Sequence, residues 1–120
     1  MKILIVDDSE TLRVQLKKDL EGGGFTVLEG FDGVNGLEVL GQNKDVKAVI
    51  CDVNMPRMDG LTMMEKMNSD PEVNKIPRLM MTTESSPEMK TRGKAAGVMA
   101  WITKPYQAEK LLMVLKKVVG

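Results

Sequence analysis

The chain has 120 residues, of which 17 are basic, 17 are acidic and none is histidine. This length fits one domain, which buries roughly two thirds of the surface of its unfolded chain, and leaves no room for a second. The balanced charge gives no reason to expect a nucleic acid or an anionic membrane surface as a partner. The lack of histidine excludes Ser-His-Asp and Cys-His catalysis and the usual imidazole ligands of zinc.

Short apolar runs alternate with longer segments of helical period, which is typical of a parallel sheet covered by helices on both faces. The first strand is predicted over residues 2–6, and the helix after it carries Leu12, Leu16 and Leu20 on one face. That helix ends at three glycines, residues 22–24, which adopt left-handed backbone conformations readily. The other four strands are predicted over residues 25–28, 48–51, 78–82 and 100–103.

The remaining helices follow from periodicity and capping signals. The second and third are predicted around residues 35–40 and 61–67. The fourth begins at Pro87, with Ser86 as its N-cap, and closes before Gly97. The last helix is the clearest, because its apolar side chains form one stripe: Leu111, Leu112, Leu115, Val118 and Val119.

We therefore expect an α/β fold of the flavodoxin-like (βα)5 type, a doubly wound five-stranded parallel sheet in the order 2-1-3-4-5. Cys51 is the only cysteine and lies in an apolar run, so it is expected to be a small core residue in a reducing compartment. No apolar stretch approaches the ~20 residues that a membrane span requires. We expect a cytoplasmic protein with no membrane insertion.

Three acidic residues stand at the ends of two predicted strands, Asp7 and Asp8 after the first and Asp52 after the third. In the expected order these strands are neighbours, and ligands of such sheets bind where they meet. Each acid alone is also explained as a turn or helix-cap residue. Together, three carboxylates would raise one another's pKa unless a cation held them ionised, and oxygen ligands without histidine or cysteine favour Mg²⁺.

Two more polar residues follow strands at the same edge of the sheet. Thr82 closes the fourth predicted strand and Lys104 follows the fifth, so a hydroxyl and an ammonium group are expected beside the acids. Such groups suit a phosphoryl group, whose oxygens need hydrogen-bond donors and positive charge. Taken singly, Lys104 is also explained as a surface lysine and Thr82 as an ordinary strand residue.

With the segment DVNMPRMDG at residues 52–60, these positions resemble the receiver domain of bacterial two-component response regulators. The resemblance covers residues 1–120, which we expect to form one receiver domain. Within the family, the chain is most similar to the single-domain chemotaxis regulators, because Asn54 comes two residues after Asp52 and Glu84 comes two residues after Thr82. The family positions occur in order at the strand ends: Asp7, Asp8, Asp52, Thr82, Lys104 and Pro105.

The resemblance implies that Asp52 accepts a phosphoryl group from a phosphohistidine on a sensor histidine kinase. Asp8, Asp52 and the main-chain carbonyl of Asn54 would ligate Mg²⁺, with Asp7 acting through a bound water. Lys104 and the hydroxyl of Thr82 would hold the phosphoryl oxygens. The protein would then be a regulator and not an enzyme, limited to Mg²⁺-dependent self-phosphorylation from phosphodonors and slow autodephosphorylation.

The family reads out phosphorylation by moving the threonine toward the phosphoryl group while an aromatic residue of the fifth strand swings inward. That residue is Trp101 here, where tyrosine or phenylalanine is more usual. Thr83 is larger than the residue that generally follows the threonine, and we expect it to narrow access to Asp52. Glu84 is a further tuning position, and the bond before Pro105 is cis in the family.

Gly93 lies in the middle of the fourth helix, where glycine costs about 1 kcal/mol relative to alanine. Two interpretations of this residue are open. Gly93 either loosens a helix that belongs to a switching surface or is a tolerated glycine on the protein surface.

The resemblance also implies partners. We expect a monomer that signals by docking through the fourth helix, fifth strand and fifth helix to a downstream target, by resemblance a flagellar motor switch protein. A phosphatase is a further expected partner. A shuttle in a multistep phosphorelay, or a receiver-like interaction module that never takes phosphate, stays open as an alternative.

Two other classes agree less well with the residues. A haloacid-dehalogenase-type phosphatase also uses an aspartate nucleophile with Mg²⁺, but it requires a second aspartate where this chain has Asn54. A flavodoxin would have a hydroxyl-rich phosphate loop where this chain has Asp7 and Asp8.

Overall fold

A computed structural model describes residues 1–83 and 85–120 of the chain. In that part of the chain, strands and helices alternate strictly. The elements are β1 (Lys2–Val6), α1 (Glu10–Gly22), β2 (Thr26–Gly30), α2 (Gly33–Gln42), β3 (Ala48–Asp52), α3 (Gly60–Asn68), β4 (Arg78–Thr82), α4 (Pro87–Ala95), β5 (Val98–Thr103) and α5 (Ala108–Val119).

The strands form one sheet in the order β2-β1-β3-β4-β5, and every neighbouring pair is parallel. This confirms the predicted fold class and strand order. Because all strands run in the same direction, their carboxyl ends lie along one edge of the sheet. The ends of β1 and β3 are adjacent there, with Val6 paired to Cys51.

Side chains alternate between the two faces of the sheet, and each face has its own core. One core packs beneath α2, α3 and α4, and the other beneath α1 and α5. Cys51 is fully buried in the first core, as predicted, and burial together with the charges of Asp52 and Asp7 raises its thiol pKa well above the ordinary value. No helix in the two described ranges is long and apolar enough to cross a membrane.

The third strand runs one residue further than predicted, to Asp52, and two other strands also differ from the prediction. The second strand runs from Thr26 to Gly30 instead of over residues 25–28, because the amide of Phe25 still donates to the carbonyl of Leu20 at the end of α1. The fifth strand begins at Val98, two residues early, where the β4–β5 register is irregular. None of these differences moves a residue of the acidic edge.

The start of α4 agrees with the prediction, and its glycine does not lie on the surface. The hydroxyl of Ser86 accepts the amide of Met89 at 3.1 Å, and Pro87 occupies the first turn. Gly93 is buried, and a Cβ built on it would lie 2.6 Å from Cζ2 of Trp101. The interpretation of Gly93 as a tolerated surface glycine is therefore wrong, since the indole occupies the space that a side chain would need.

Candidate functional site

The three acids of the sequence analysis meet at the carboxyl edge of the sheet. Asp7 and Asp8 follow β1, Asp52 ends β3, and each offers a carboxylate oxygen such that all three oxygens lie within 4.8 Å of one another. Asp7 and Asp52 are buried, whereas Asp8 is exposed. The cluster is thus built on rigid strand ends and is open to solvent on one side.

Lys104, which follows the edge strand β5, also lies at this acidic edge. Its Nζ lies 2.9 Å from Oδ2 of Asp7 and 3.3 Å from Oδ2 of Asp52. The loop that carries it is anchored to β4, because the amide of Lys104 donates to the carbonyl of Thr82 at 2.9 Å. The bond between Lys104 and Pro105 is cis, as the resemblance implies.

Backbone amides fix the orientation of the two buried carboxylates. Oδ1 of Asp7 accepts the amide of Ser9 at 2.8 Å, and Oδ1 of Asp52 accepts the amide of Val53 at 2.8 Å. Each carboxylate therefore has one oxygen held by the chain that follows its strand, while the other oxygen faces Lys104. Asp8 is the member of the cluster that is exposed to solvent.

The electrostatics of the cluster are unbalanced. Burial and the charge of Asp7 raise the pKa of Asp52, and Lys104 offsets only part of this increase. Burial alone would lower the pKa of Lys104, but the hydrogen bond and charge of Asp7 and the charge of Asp52 raise it, so the amine is protonated at neutral pH. Three carboxylates face one ammonium group, a donor set that fits a hard divalent cation.

The structure brings some of the other predicted residues to this edge. Thr82 is buried at the end of β4, beside β3. Asn54 and Thr83 are exposed in the loops after β3 and β4. Glu84 lies outside the described residues. The roles given to these residues stay predictions.

Trp101 lies away from the acids, on the face of the sheet that α4 covers. It is half-buried on β5, where its indole packs against the α4 side of the core next to Gly93. An apolar groove of about 340 Å³ runs beside it between β5 and α5 and is lined by residues that include Trp101, Ile102, Tyr106, Lys110 and Val114.

Two side chains that the sequence analysis missed support the loops of the site. Nη1 of Arg13 donates to the carbonyl of Asp7 at 2.5 Å, and the hydroxyl of Tyr106 donates to Oδ2 of Asp19 at 2.6 Å. The first contact ties the acidic loop to α1, and the second ties the loop of Lys104 to the same helix. A helical side chain points toward the N-terminus of its helix, which is the signal that could have indicated Arg13.

Comparison with known proteins agrees with this geometry. The sequence-family model of the response regulator receiver domain matches residues 3–116 of the chain. The chain is 40% identical over 121 residues to the chemotaxis protein CheY1 of Helicobacter pylori, covering 100% of this chain and 98% of that protein. It is also 34% identical over 116 residues to the sensor histidine kinase CheAY of H. pylori, covering 96% of this chain and 14% of the kinase.

Among solved structures, the chemotaxis protein CheY4 of Vibrio cholerae is similar with a TM-score of 0.90 and 38% identity. The superposition covers 98% of this chain and 97% of that one. The likeness therefore extends over the whole fold.

Proposed function

The chain belongs to the response regulator receiver family and is a signalling regulator homologous to the CheY chemotaxis proteins; we propose that Asp52 is its phosphoryl acceptor. The observation that carries the proposal is the placement of the Asp52 carboxylate between Asp7, Asp8 and the Lys104 ammonium. We take residues 1–120 as one receiver domain. The protein is a regulator and not a classical enzyme.

The proposed reaction is transfer of a phosphoryl group from a phosphohistidine to a carboxylate oxygen of Asp52. The P–N bond to the donor imidazole breaks as the P–O bond of an acyl phosphate forms, and the imidazole keeps the electron pair of the broken bond. Lys104 lies 3.3 Å from Oδ2 of Asp52, so its charge is close to where the phosphoryl oxygens arrive. The Thr82 hydroxyl is the proposed second donor.

Mg²⁺ is the proposed cofactor, held by Asp8, Asp52 and the Asn54 carbonyl, with Asp7 acting through water. When bound, the ion neutralises charge as the anionic carboxylate and the anionic phosphoryl group approach each other. The fit rests on the oxygen-only donor set and on the excess of carboxylates over ammonium groups in the cluster. We also predict that Mg²⁺ quenches the fluorescence of Trp101.

We propose that the phosphorylated protein docks to a target through α4, β5 and α5. This face carries the exposed Met99 and Met113 and the groove beside Trp101. By its similarity to CheY proteins, the target is a component of chemotaxis control such as the flagellar motor switch, and the phosphodonor is a sensor histidine kinase. A phosphatase completes the proposed partners, and we place the monomeric protein in the cytoplasm.

One observation favours a second role, a shuttle in a multistep phosphorelay. The similar segment in CheAY occupies only 14% of that sensor histidine kinase, so a receiver-like sequence exists there as part of a kinase. In a relay, the phosphoryl group on Asp52 would pass on to a histidine of another protein instead of regulating a docking partner.

The test is phosphorylation of purified wild-type protein and two variants by acetyl phosphate with Mg²⁺, read by intact mass. We expect the wild type to gain one phosphoryl group and Asp52→Asn to gain none. Asp59→Asn is the matched control, because Asp59 lies in the loop that follows Asp52 and caps α3, accepting the amide of Thr62 at 2.8 Å. Incorporation into Asp52→Asn, or none into the wild type, would overturn the proposal, the latter in favour of a module that never takes phosphate.

A further inference from the structure

The loop between β3 and α3, residues 53–59, contains a backbone conformation that needs an explanation. Arg57 has φ of 63°, a value that non-glycine residues seldom adopt. The amide of Met58 donates to the carbonyl of Pro56 at 2.7 Å, so Arg57 is the central residue of a γ-turn, a strained conformation at positive φ. A contact elsewhere must hold the residue in this state.

The side chain of Arg57 supplies that contact. Its Nε donates to Oδ2 of Asp32 at 2.7 Å and its Nη2 donates to Oδ1 of Asp32 at 3.1 Å. Asp32 is only 2% exposed and is the N-cap of α2, where Oδ1 also accepts the amide of Asn35 at 2.8 Å. The pair is therefore a two-pronged ion pair onto a buried, fixed carboxylate, the strong form of this interaction.

Two more contacts join the same loops. The amide of Gly33 donates to the carbonyl of Met58 at 3.2 Å, and a Cβ on Gly33 would lie 2.6 Å from that oxygen. Cζ of Arg57 lies 5.7 Å from the centroid of the Phe31 ring, within the range of a cation–π contact. The segment 31–33 thus contacts the tip of the β3–α3 loop through an ion pair, a backbone hydrogen bond and a cation–π contact.

The base of the loop is fixed independently. The amide of Gly60 donates to the carbonyl of Val53 at 2.8 Å, which closes the loop next to Asp52. Asn54 lies between this closure and the tip, so its backbone position depends on both ends being held. Met55 and Met58 also pack against the core beneath α2, α3 and α4. The polar contacts described for the tip are those with segment 31–33.

We propose that Arg57 is a positioning residue that, through Asp32, holds the β3–α3 loop so that the main-chain carbonyl of Asn54 is preorganised for Mg²⁺. The inference rests on the proposed function, because it concerns the proposed metal site. Residues that orient a metal ligand without touching the metal affect affinity strongly, since a displaced ligand must be reordered when the ion binds.

The test compares Mg²⁺ affinity, measured by calorimetry, in four variants. Arg57→Gln removes the ion pair, and Arg57→Gly removes it while allowing the positive φ without strain. Asp32→Asn keeps an N-cap for α2 but loses the charge. Arg92→Gln is the matched control, because Arg92 also makes a two-pronged pair, with Glu65 at 2.9 and 2.7 Å, between α4 and α3.

We expect the three Arg57 and Asp32 variants to bind Mg²⁺ about tenfold more weakly than the wild type. Arg92→Gln should bind as the wild type does. Combining Arg57→Gly with Asp32→Asn should weaken binding no further than either alone, because both remove one interaction. A second readout uses metal-free protein: amide hydrogen exchange of residues 53–59 should accelerate in the Arg57 variants while the strands stay protected.

Unchanged Mg²⁺ affinity in the Arg57 variants would overturn the proposal. It would also be overturned if amide exchange accelerated equally throughout the sheet, since Arg57 would then act on global stability alone. Failure of the wild type itself to bind Mg²⁺ would overturn the proposed function as well, so the two failures are distinguishable.

Discussion

The two edges of the sheet each hold a positive charge, partly buried at one edge and buried at the other, in opposite surroundings. At the carboxyl edge, Lys104 faces Asp7 and Asp52, with Asp8 close by. At the amino edge, the guanidinium of Arg78 donates to the carbonyls of Asn74 and Ala96 at 2.7 and 3.1 Å, and no carboxylate pairs with it within residues 1–83 and 85–120. The ammonium group of Lys104 is therefore surrounded by an excess of carboxylates, whereas the guanidinium of Arg78 contacts neutral carbonyl groups.

The difference separates a structural charge from a functional one. The surroundings of Arg78 are closed: a Cβ on Gly97, which has φ of 86°, would lie 2.7 Å from its Nη2. Burial lowers the pKa of Arg78, and its Nε is buried without a hydrogen-bond partner among the described residues, but no opening to solvent gives a ligand access to it. The acidic cluster keeps an exposed member and surplus negative charge. We infer that unbalanced charge together with access, and not burial of a charge by itself, indicates the binding site.

The largest expected effect concerns the exposed member of the cluster. Asp8→Asn removes a proposed direct ligand, so Mg²⁺ affinity should fall roughly a hundredfold or more, beyond the loss typical of an indirect partner. The metal-free variant should be at least as stable as the wild type, because one repelling carboxylate is gone. Calorimetry and urea unfolding measure both quantities. Wild-type affinity in Asp8→Asn would show that the ion does not bind at these acids.

The second prediction removes the positive charge from the same edge. Lys104→Met leaves Asp7 and Asp52 without their ammonium partner, which should lower the free energy of unfolding by about 2 kcal/mol without metal. Mg²⁺ should restore part of the loss, because it supplies the missing charge. Lys18→Met, at an exposed position of α1, is the control and should change little. Equal losses with and without Mg²⁺ would contradict the account.

The third prediction tests the amino edge. Arg78→Met leaves the carbonyls of Asn74 and Ala96 without their donor but also removes the cost of burying a guanidinium, so we expect a net loss of about 1 kcal/mol in urea unfolding. Mg²⁺ affinity should not change. A change in affinity would show that the two edges of the sheet are energetically coupled.

The smallest effect is a pH dependence of the metal-free protein. The pKa of Asp52 is raised by burial and by Asp7, so the folded state binds its proton more readily than the unfolded state does. This carboxylate therefore destabilises the fold at neutral pH, and the penalty disappears as pH falls through the folded pKa. Urea unfolding in EDTA should show Asp52→Asn more stable than the wild type at pH 7, with the gap closing on acidification. A gap that widens toward low pH would contradict the assignment.

Local patterns in the sequence were enough to predict the fold and the acidic edge. Each acid lies at the end of a buried strand or within two residues after it, and strand order alone then brings Asp7, Asp8 and Asp52 together. The missed contacts, Arg13 with Asp7 and Arg57 with Asp32, join residues far from any shared period, so side-chain length and loop shape decide them. The fit of Trp101 against Gly93 was missed for the same reason, since a missing Cβ is meaningful only once the facing residue is known.

We propose that Asp52 accepts the phosphoryl group with the help of a divalent cation bound at the acidic edge. The most direct test is to treat the protein with acetyl phosphate, reduce it with borohydride, which converts an aspartyl phosphate to homoserine, and map the modified peptide by mass spectrometry. We expect homoserine at position 52 in the presence of Mg²⁺ and unmodified Asp52 in EDTA. Modification at another aspartate, or equal modification of Asp52 with and without the metal, would contradict this proposal.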